Sequence, residues 1–204
     1  MSTAATIAYW VVLAAAWGGL QQEREGGSPL RPSLPSVLLW GAVALSSLVQ
    51  LSVAPALLDL GQRESGAILD GQVWRLVTSL VLQDGGWYGA VTNLAVLAVT
   101  LVLVRPVLTG WRVIAVFVGG GVLANLLTVA TFGQSGAGSS MATIVLAVTA
   151  LGLVHRRRVR VLISLVVAAG AVVLLLQRDQ HGLAAAAGLC VSAVCALAAR
   201  RRGR

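Results

Sequence analysis

GWYGAVTNLAVLAVTLVLV, residues 86–104, carries no charged side chain and a single amide, Asn93. As a helix rising 1.5 Å per residue it spans about 28 Å, close to the roughly 30 Å hydrocarbon core of a bilayer. The same pattern recurs in both directions along the chain. Seven apolar segments of spanning or near-spanning length fall at about residues 4–20, 36–58, 86–104, 112–132, 139–154, 160–177 and 181–199. The first and fifth are short and need protein neighbours or a locally thin membrane. Of 204 residues, 57% are hydrophobic and only 11% charged, with a mean hydropathy of +0.87. So few charges could not cover the surface of a soluble domain this large, and lipid is the solvent that removes the problem. The chain therefore reads as an all-α membrane protein: a six-helix transmembrane bundle with one extra N-terminal transmembrane helix.

Three divisions follow. Residues 1–35 hold the first helix and a polar linker containing Pro29, Pro32 and Pro35, residues 36–199 the six-helix membrane domain, and residues 200–204 a basic tail. The first segment has no basic residue ahead of it, so it reads as a retained helix rather than a cleaved signal peptide. The net charge is +8 and every basic residue is Arg. A sequence pI near 11.4 is common in nucleic-acid binders. Here, however, the arginines sit in short runs between apolar blocks, the pattern of a topology signal, so no nucleic-acid partner is expected. With the C-terminus cytoplasmic, all but Arg63, Arg75 and Arg178 of the 15 arginines fall inside. That bias puts the N-terminus outside and makes the bilayer itself a partner. An Arg-only basic set with abundant Ala, Val, Leu and Gly is the composition of a GC-rich bacterium, hence a multi-pass protein of the bacterial inner (plasma) membrane. Cys190 and Cys195 lie in the last apolar block, five residues apart, and on a helix they point about 140° away from each other. They read as small core residues, not a disulfide. The two histidines are far apart in sequence, and no metal site is expected.

Four features carry chemistry, and each has a plainer reading. Gln72-Val73-Trp74-Arg75 lies in the long loop between the second and third segments, where Trp and Arg also serve as interfacial anchors. Asn93 lies about two turns into the third segment. An amide there avoids lipid and serves either a helix–helix hydrogen bond or a developing oxyanion. The run from Gly133 to Ala142, Gly-Gln-Ser-Gly-Ala-Gly-Ser-Ser-Met-Ala, enters the fifth segment. It reads as a turn and cap, or as a nucleophile beside free backbone N–H groups. His181 opens the last segment, followed by Ala184 and Gly188. It is either a water-exposed interfacial side chain or a functional one. The glycines at 119–121 read as close helix approach. By the arginine topology all four features fall toward the outer side, where a Ser and a His that meet would make a nucleophile and its base.

This set resembles the rhomboid family of intramembrane serine proteases: Gln72, Trp74 and Arg75 in the loop, Asn93 in the next helix, Gly138-Ser139-Ser140, and His181, Ala184 and Gly188 in the last helix. The resemblance covers about residues 36–199. It implies a rhomboid-like six-helix bundle in which a serine attacks the scissile carbonyl and His181 activates it, without an acidic third member. Ser140 is the favoured nucleophile, with Ser135 as the alternative. Asn93 and the Ser140 backbone N–H would hold the oxyanion, and the Trp-Arg loop would support the fold. Three departures stand out. The positions nine and four before Asn93, commonly His in the family, are Asp84 and Gly89. Met141 replaces the usual Gly. Ile144 stands where an aromatic residue often packs on the histidine, so His181 is expected to lack its stacking partner. Asp84 itself reads as part of a loop turn. The implied activity is cleavage of transmembrane protein substrates near their outer ends, with no cofactor, since Ser–His acyl transfer needs none. The lost histidines leave open an inactive rhomboid-like protein that binds membrane-protein clients. A transporter gains little support, because intramembrane charges are nearly absent.

Overall fold

The computed structural model describes residues 2–24 and 31–202, without the side chains of Arg24 and residues 196–202. Residues 25–30 of the linker, with Pro29, and the last two residues of the tail lie outside the described part, as do the side chains of Arg200, Arg201 and Arg202. Seven principal helices appear where the apolar segments predict them: α1 Thr3–Gln21, α2 Leu34–Ser52, α6 Gly86–Val104, α7 Arg112–Thr131, α8 Ser140–Leu151, α9 Arg157–Leu176 and α10 Gln180–Arg202. Between α2 and α6 the chain makes three short helices, α3 Leu57–Gly61, α4 Ser65–Leu69 and α5 Arg75–Thr78. Among the described residues five helices are long and apolar enough to cross a membrane, and α8 and the apolar part of α10 are shorter.

Local chemistry sets the helix ends. Ser2 and Ser33 cap α1 and α2 by accepting the N–H groups of Ala5 and Ser36. The second apolar segment runs on to residue 58 in sequence, yet α2 stops at Ser52. Val53 and Ala54 N–H both close onto the Val49 carbonyl, and Pro55, which has no N–H, starts the loop.

The short α8 is the centre of the bundle. Every residue from Met141 to Leu151 is buried, and α8 packs against α10, α7, α6 and α1. A helix enclosed by protein on all sides has no bilayer thickness to match, which is why 12 residues suffice. Its neighbours turn large apolar side chains outward, as Leu162, Leu165 and Leu176 do on α9. Lipid offers no hydrophobic drive to bury them, so close backbone approach holds the helices together. A Cβ on Gly120 would stand 2.4 Å from Val145, one on Gly121 2.8 Å from Leu80, and one on Gly188 2.8 Å from Val148. Gly119, by contrast, faces open space. The cysteines depart from expectation in one respect. Both are free, as expected, but neither is a core residue: Cys190 is exposed and Cys195 half-buried.

The extra helix is part of the bundle. α1 runs along α9 and touches α8 and α6. Ser2 Oγ donates to Gln177 Oε1 at one end (2.9 Å), and Trp17 Nε1 donates to Thr100 Oγ1 farther along (3.0 Å). Beyond α1, Glu23 accepts the backbone N–H groups of His155 and Arg156 and meets the His155 ring at 2.9 Å, joining α1 to the start of α9.

Candidate active site

Ser140 is the first residue of α8. Thr143 N–H is the first to close onto the Ser139 carbonyl, so the N–H of Ser140 lies ahead of the helix's own ladder. His181 lies one residue into α10, which the small residues below it bring close to α8: Ala184 is fully buried, and Gly188 leaves no room for a Cβ. The result is a 2.9 Å contact between Ser140 Oγ and His181 Nε2. Ser135, the other serine singled out in the sequence, is exposed. With His181, Asp179, Gln134 and Arg178 it lines an open cavity of about 420 Å³.

The loop entering α8 is fastened from several sides. Gly138 N–H donates to the Ser79 carbonyl (2.8 Å). A Cβ on Gly138 would stand 3.1 Å from Asn93 Nδ2 and 3.8 Å from Ser140 Oγ, so the amide and the hydroxyl flank the same glycine. Asn93 Nδ2 donates to Gln83 Oε1 (2.7 Å), a loop residue rather than a second helix. Asp84 is exposed and serves the loop: its Oδ2 accepts Ala137 N–H (2.9 Å), and its own N–H donates to the Ala137 carbonyl. Beneath them Arg63 is buried. It donates to the Gln134 carbonyl (3.0 Å), Asn125 Oδ1 (2.6 Å), Met141 Sδ (3.4 Å) and Gln180 Oε1, and pairs with Gly136 through the backbone. Burial pushes its guanidinium down to about 10, opposed by the negative charge of Asp84. Met141, in place of a glycine, thus gives this arginine a thioether acceptor.

The Gln-x-Trp-Arg stretch stands apart from the Ser–His pair. Arg75 Nε donates to Gln72 Oε1 (2.8 Å), and its Nη1 donates to the carbonyls of Asp59 and Gln62. These bonds fold the loop back on itself, while the Trp74 side chain is exposed.

Two features of the histidine were not anticipated. Its aromatic neighbour exists, but it comes from α1: the Tyr9 ring meets the His181 ring edge-on, centroids 4.9 Å apart. Ile144, itself fully buried in α8, takes no part in that contact. A carboxylate also reaches His181, since Asp179 Oδ1 lies 2.6 Å from its Nδ1. Burial alone would raise the Asp179 carboxyl. The hydrogen bonds and charge of the histidine outweigh that and hold it below the usual carboxylate range. An Asp two residues ahead of a His at a helix start was the signal available in sequence. It reads there as an ordinary N-cap.

The sequence model of the Rhomboid domain matches residues 70–202. The chain belongs to the rhomboid family. The match leaves out α1, α2 and the first half of the following loop, so the helix that brings Tyr9 to His181 lies outside the shared domain. No curated protein and no solved structure matches the chain. As a rhomboid it is a multi-pass helical membrane protein, and the Ser140–His181 contact sits at the end of the bundle opposite the arginine-rich α6–α7 and α8–α9 turns. Among the described residues no cluster of His, Cys, Asp or Glu could hold a metal ion.

Proposed function

We propose that this rhomboid is an intramembrane serine protease that cleaves transmembrane segments of other proteins. The observation that carries the reading is the 2.9 Å contact between Ser140 Oγ and His181 Nε2. Ser140 Oγ attacks the scissile carbonyl carbon as its proton passes to His181 Nε2. The oxyanion takes hydrogen bonds from the Ser140 N–H and the Asn93 amide. Collapse breaks the C–N bond, and the imidazolium returns the proton to the leaving amine. Water, deprotonated by the same nitrogen, then hydrolyses the acyl-enzyme and frees Ser140. Gly138 supports this use, because only a residue without Cβ leaves the space between Asn93 and Ser140 open to a substrate carbonyl. The Arg-only composition and the one-sided arginines support a bacterial plasma-membrane protein with the site toward the outer face and the C-terminus in the cytoplasm.

A second reading has its own support. The positions that commonly carry histidine before Asn93 are the loop-binding Asp84 and Gly89, which has no side chain to offer. An inactive rhomboid that binds membrane-protein clients fits that loss. Fluorophosphonate labelling of the detergent-purified chain separates the two. The protease reading expects labelling that disappears in Ser140→Ala and His181→Ala and persists in Ser135→Ala. Loss in Ser135→Ala alone moves the nucleophile to Ser135. A folded wild type that stays unlabelled beside a working rhomboid control favours the client binder.

A further inference from the structure

We propose that Asp179 is a positioning residue for His181, making the reactive pair a three-membered Ser140–His181–Asp179 array. The inference rests on the protease reading above and departs from the two-membered site that the family resemblance implies.

The protons can be assigned from the acceptors. An ionised carboxylate only accepts hydrogen bonds. Asp179 Oδ1 lies 2.6 Å from His181 Nδ1, so a neutral His181 carries its proton on Nδ1. Its Nε2 is then a bare lone pair, and that lone pair faces Ser140 Oγ at 2.9 Å. This is the tautomer a general base needs, and the opposite one would turn an N–H toward the hydroxyl. When His181 takes the serine proton, the same carboxylate stabilises the imidazolium.

The carboxylate is itself held in place. Asp179 N–H donates to the Leu174 carbonyl at the end of α9 (2.9 Å). The preceding Arg178 has a left-handed backbone, φ 53°, which for a non-glycine residue persists only where the surroundings fix it. Arg178 is fixed on both sides: its side chain lies over the Phe132 ring, and its carbonyl accepts from Gln134 Nε2. The side chains of Asp179 and His181 are 9% and 11% exposed, so little water competes for the ring nitrogen. Tyr9 covers the ring from α1.

The plainer role of Asp179 is as the cap of α10, since the same Oδ1 also accepts the backbone N–H of His181 (2.9 Å). Capping accounts for that bond and not for the shorter one to the ring. Asp179→Ser separates the roles, because serine caps a helix equally well and has no carboxylate for the imidazole. Asp179→Asn removes the charge and keeps an acceptor.

The test is fluorophosphonate labelling of the purified full chain, following rate and final stoichiometry, with Ser140→Ala as the blank. The proposal expects both Asp179 variants to reach wild-type stoichiometry at rates about 10²–10⁴-fold lower, the scale of losing the acid in a Ser–His–Asp site. Rates within threefold of wild type would overturn it. So would a lower stoichiometry at unchanged rate, the mark of a structural role alone. The ¹⁵N resonances of the His181 ring, assigned with a His155→Gln variant, give an independent reading. They should show a proton on Nδ1 in wild type and its loss from that site in Asp179→Ser. A wild-type ring protonated on Nε2 overturns the proposal whether or not the chain labels. A wild type that never labels overturns the protease reading instead, and the ring tautomer then still decides whether Asp179 sets the imidazole.

Discussion

The Ser47 hydroxyl has one proton, and two backbone carbonyls lie in reach of it, Val43 at 2.8 Å and Val81 at 3.3 Å. Toward Gln83 it therefore accepts, which turns Gln83 Nε2 to Ser47 (3.2 Å) and Gln83 Oε1 to Asn93. Asn93 must then present its NH₂ group, with one hydrogen on Gln83 and the second free on the Gly138 side. Gln50 locks the backbone of Gln83 by donating to its carbonyl and accepting its N–H. Gln83→Leu should slow fluorophosphonate labelling about tenfold or more, approaching the roughly 10²–10³ typical for loss of an oxyanion donor. It should also cost about 1–3 kcal/mol of stability, since Ser47 and Asn93 lose a buried partner. An unchanged labelling rate, measured beside Asn93→Ala, would show that Gln83 does not orient the donor. Ser140, Asn93 and His181 are legible in sequence because each is a polar residue at the edge or inside of an apolar block. Gln83 and Asp179 are not, because each lies in a polar stretch where its type is ordinary and only the fold shows which atom it faces.

Helix α1 is legible as a helix but not as a part of the site. Its apolar residues are spread all round, so no stripe in the sequence indicates which face docks or where. Contact with α9 settles it: a Cβ on Gly170 would stand 2.6 Å from Val12 Cγ2, and Ala8, Tyr9 and Val12 are buried on that side. Gly170→Leu should wedge α1 from α9 and draw Tyr9 off the His181 ring. The cost should be about 1–3 kcal/mol, the usual penalty for an overpacked contact. A melting temperature equal to wild type in the same detergent would sink this view of the docking. At its far end α1 is held by charge. Burial alone would raise the Glu23 carboxyl, but the His155 ring and the N–H groups of His155 and Arg156 hold it below its ordinary value. A carboxyl whose folded value is depressed stabilises above its unfolded value and loses that contribution as pH falls through the folded one. The melting gap between wild type and Glu23→Gln should therefore be open near pH 6 and narrow as pH falls to about 3, through the range below the ordinary glutamate value. A gap that stays as wide at about pH 3 would mean the carboxylate charge is not what holds α1 to the start of α9.

Across the whole molecule the two ends of the bundle differ in charge chemistry. Arg105 and Arg112 bracket the α6–α7 turn, and Arg156, Arg157, Arg158 and Arg160 the α8–α9 turn, all at the end away from Ser140. At the Ser140 end Arg63 and Arg75 are buried and spend their donors on loop carbonyls and amides. Two of the three arginines at this end thus have a role in holding the loop. The proposed orientation, with the arginine-rich turns cytoplasmic, has Ser140 at the outer face. In a Cys190→Ser, Cys195→Ser background, single cysteines at Asp70 and Arg158, both exposed, report the two ends. A membrane-impermeant maleimide should label Asp70→Cys in intact cells and Arg158→Cys only after lysis. The reverse pattern would put the Ser140–His181 pair at the cytoplasmic face, and any transmembrane substrate would then have to be cut near its inner end. Labelling of both positions in intact cells would instead mean that the arginines do not fix one orientation. The charge asymmetry between the ends would then have to serve something other than topology.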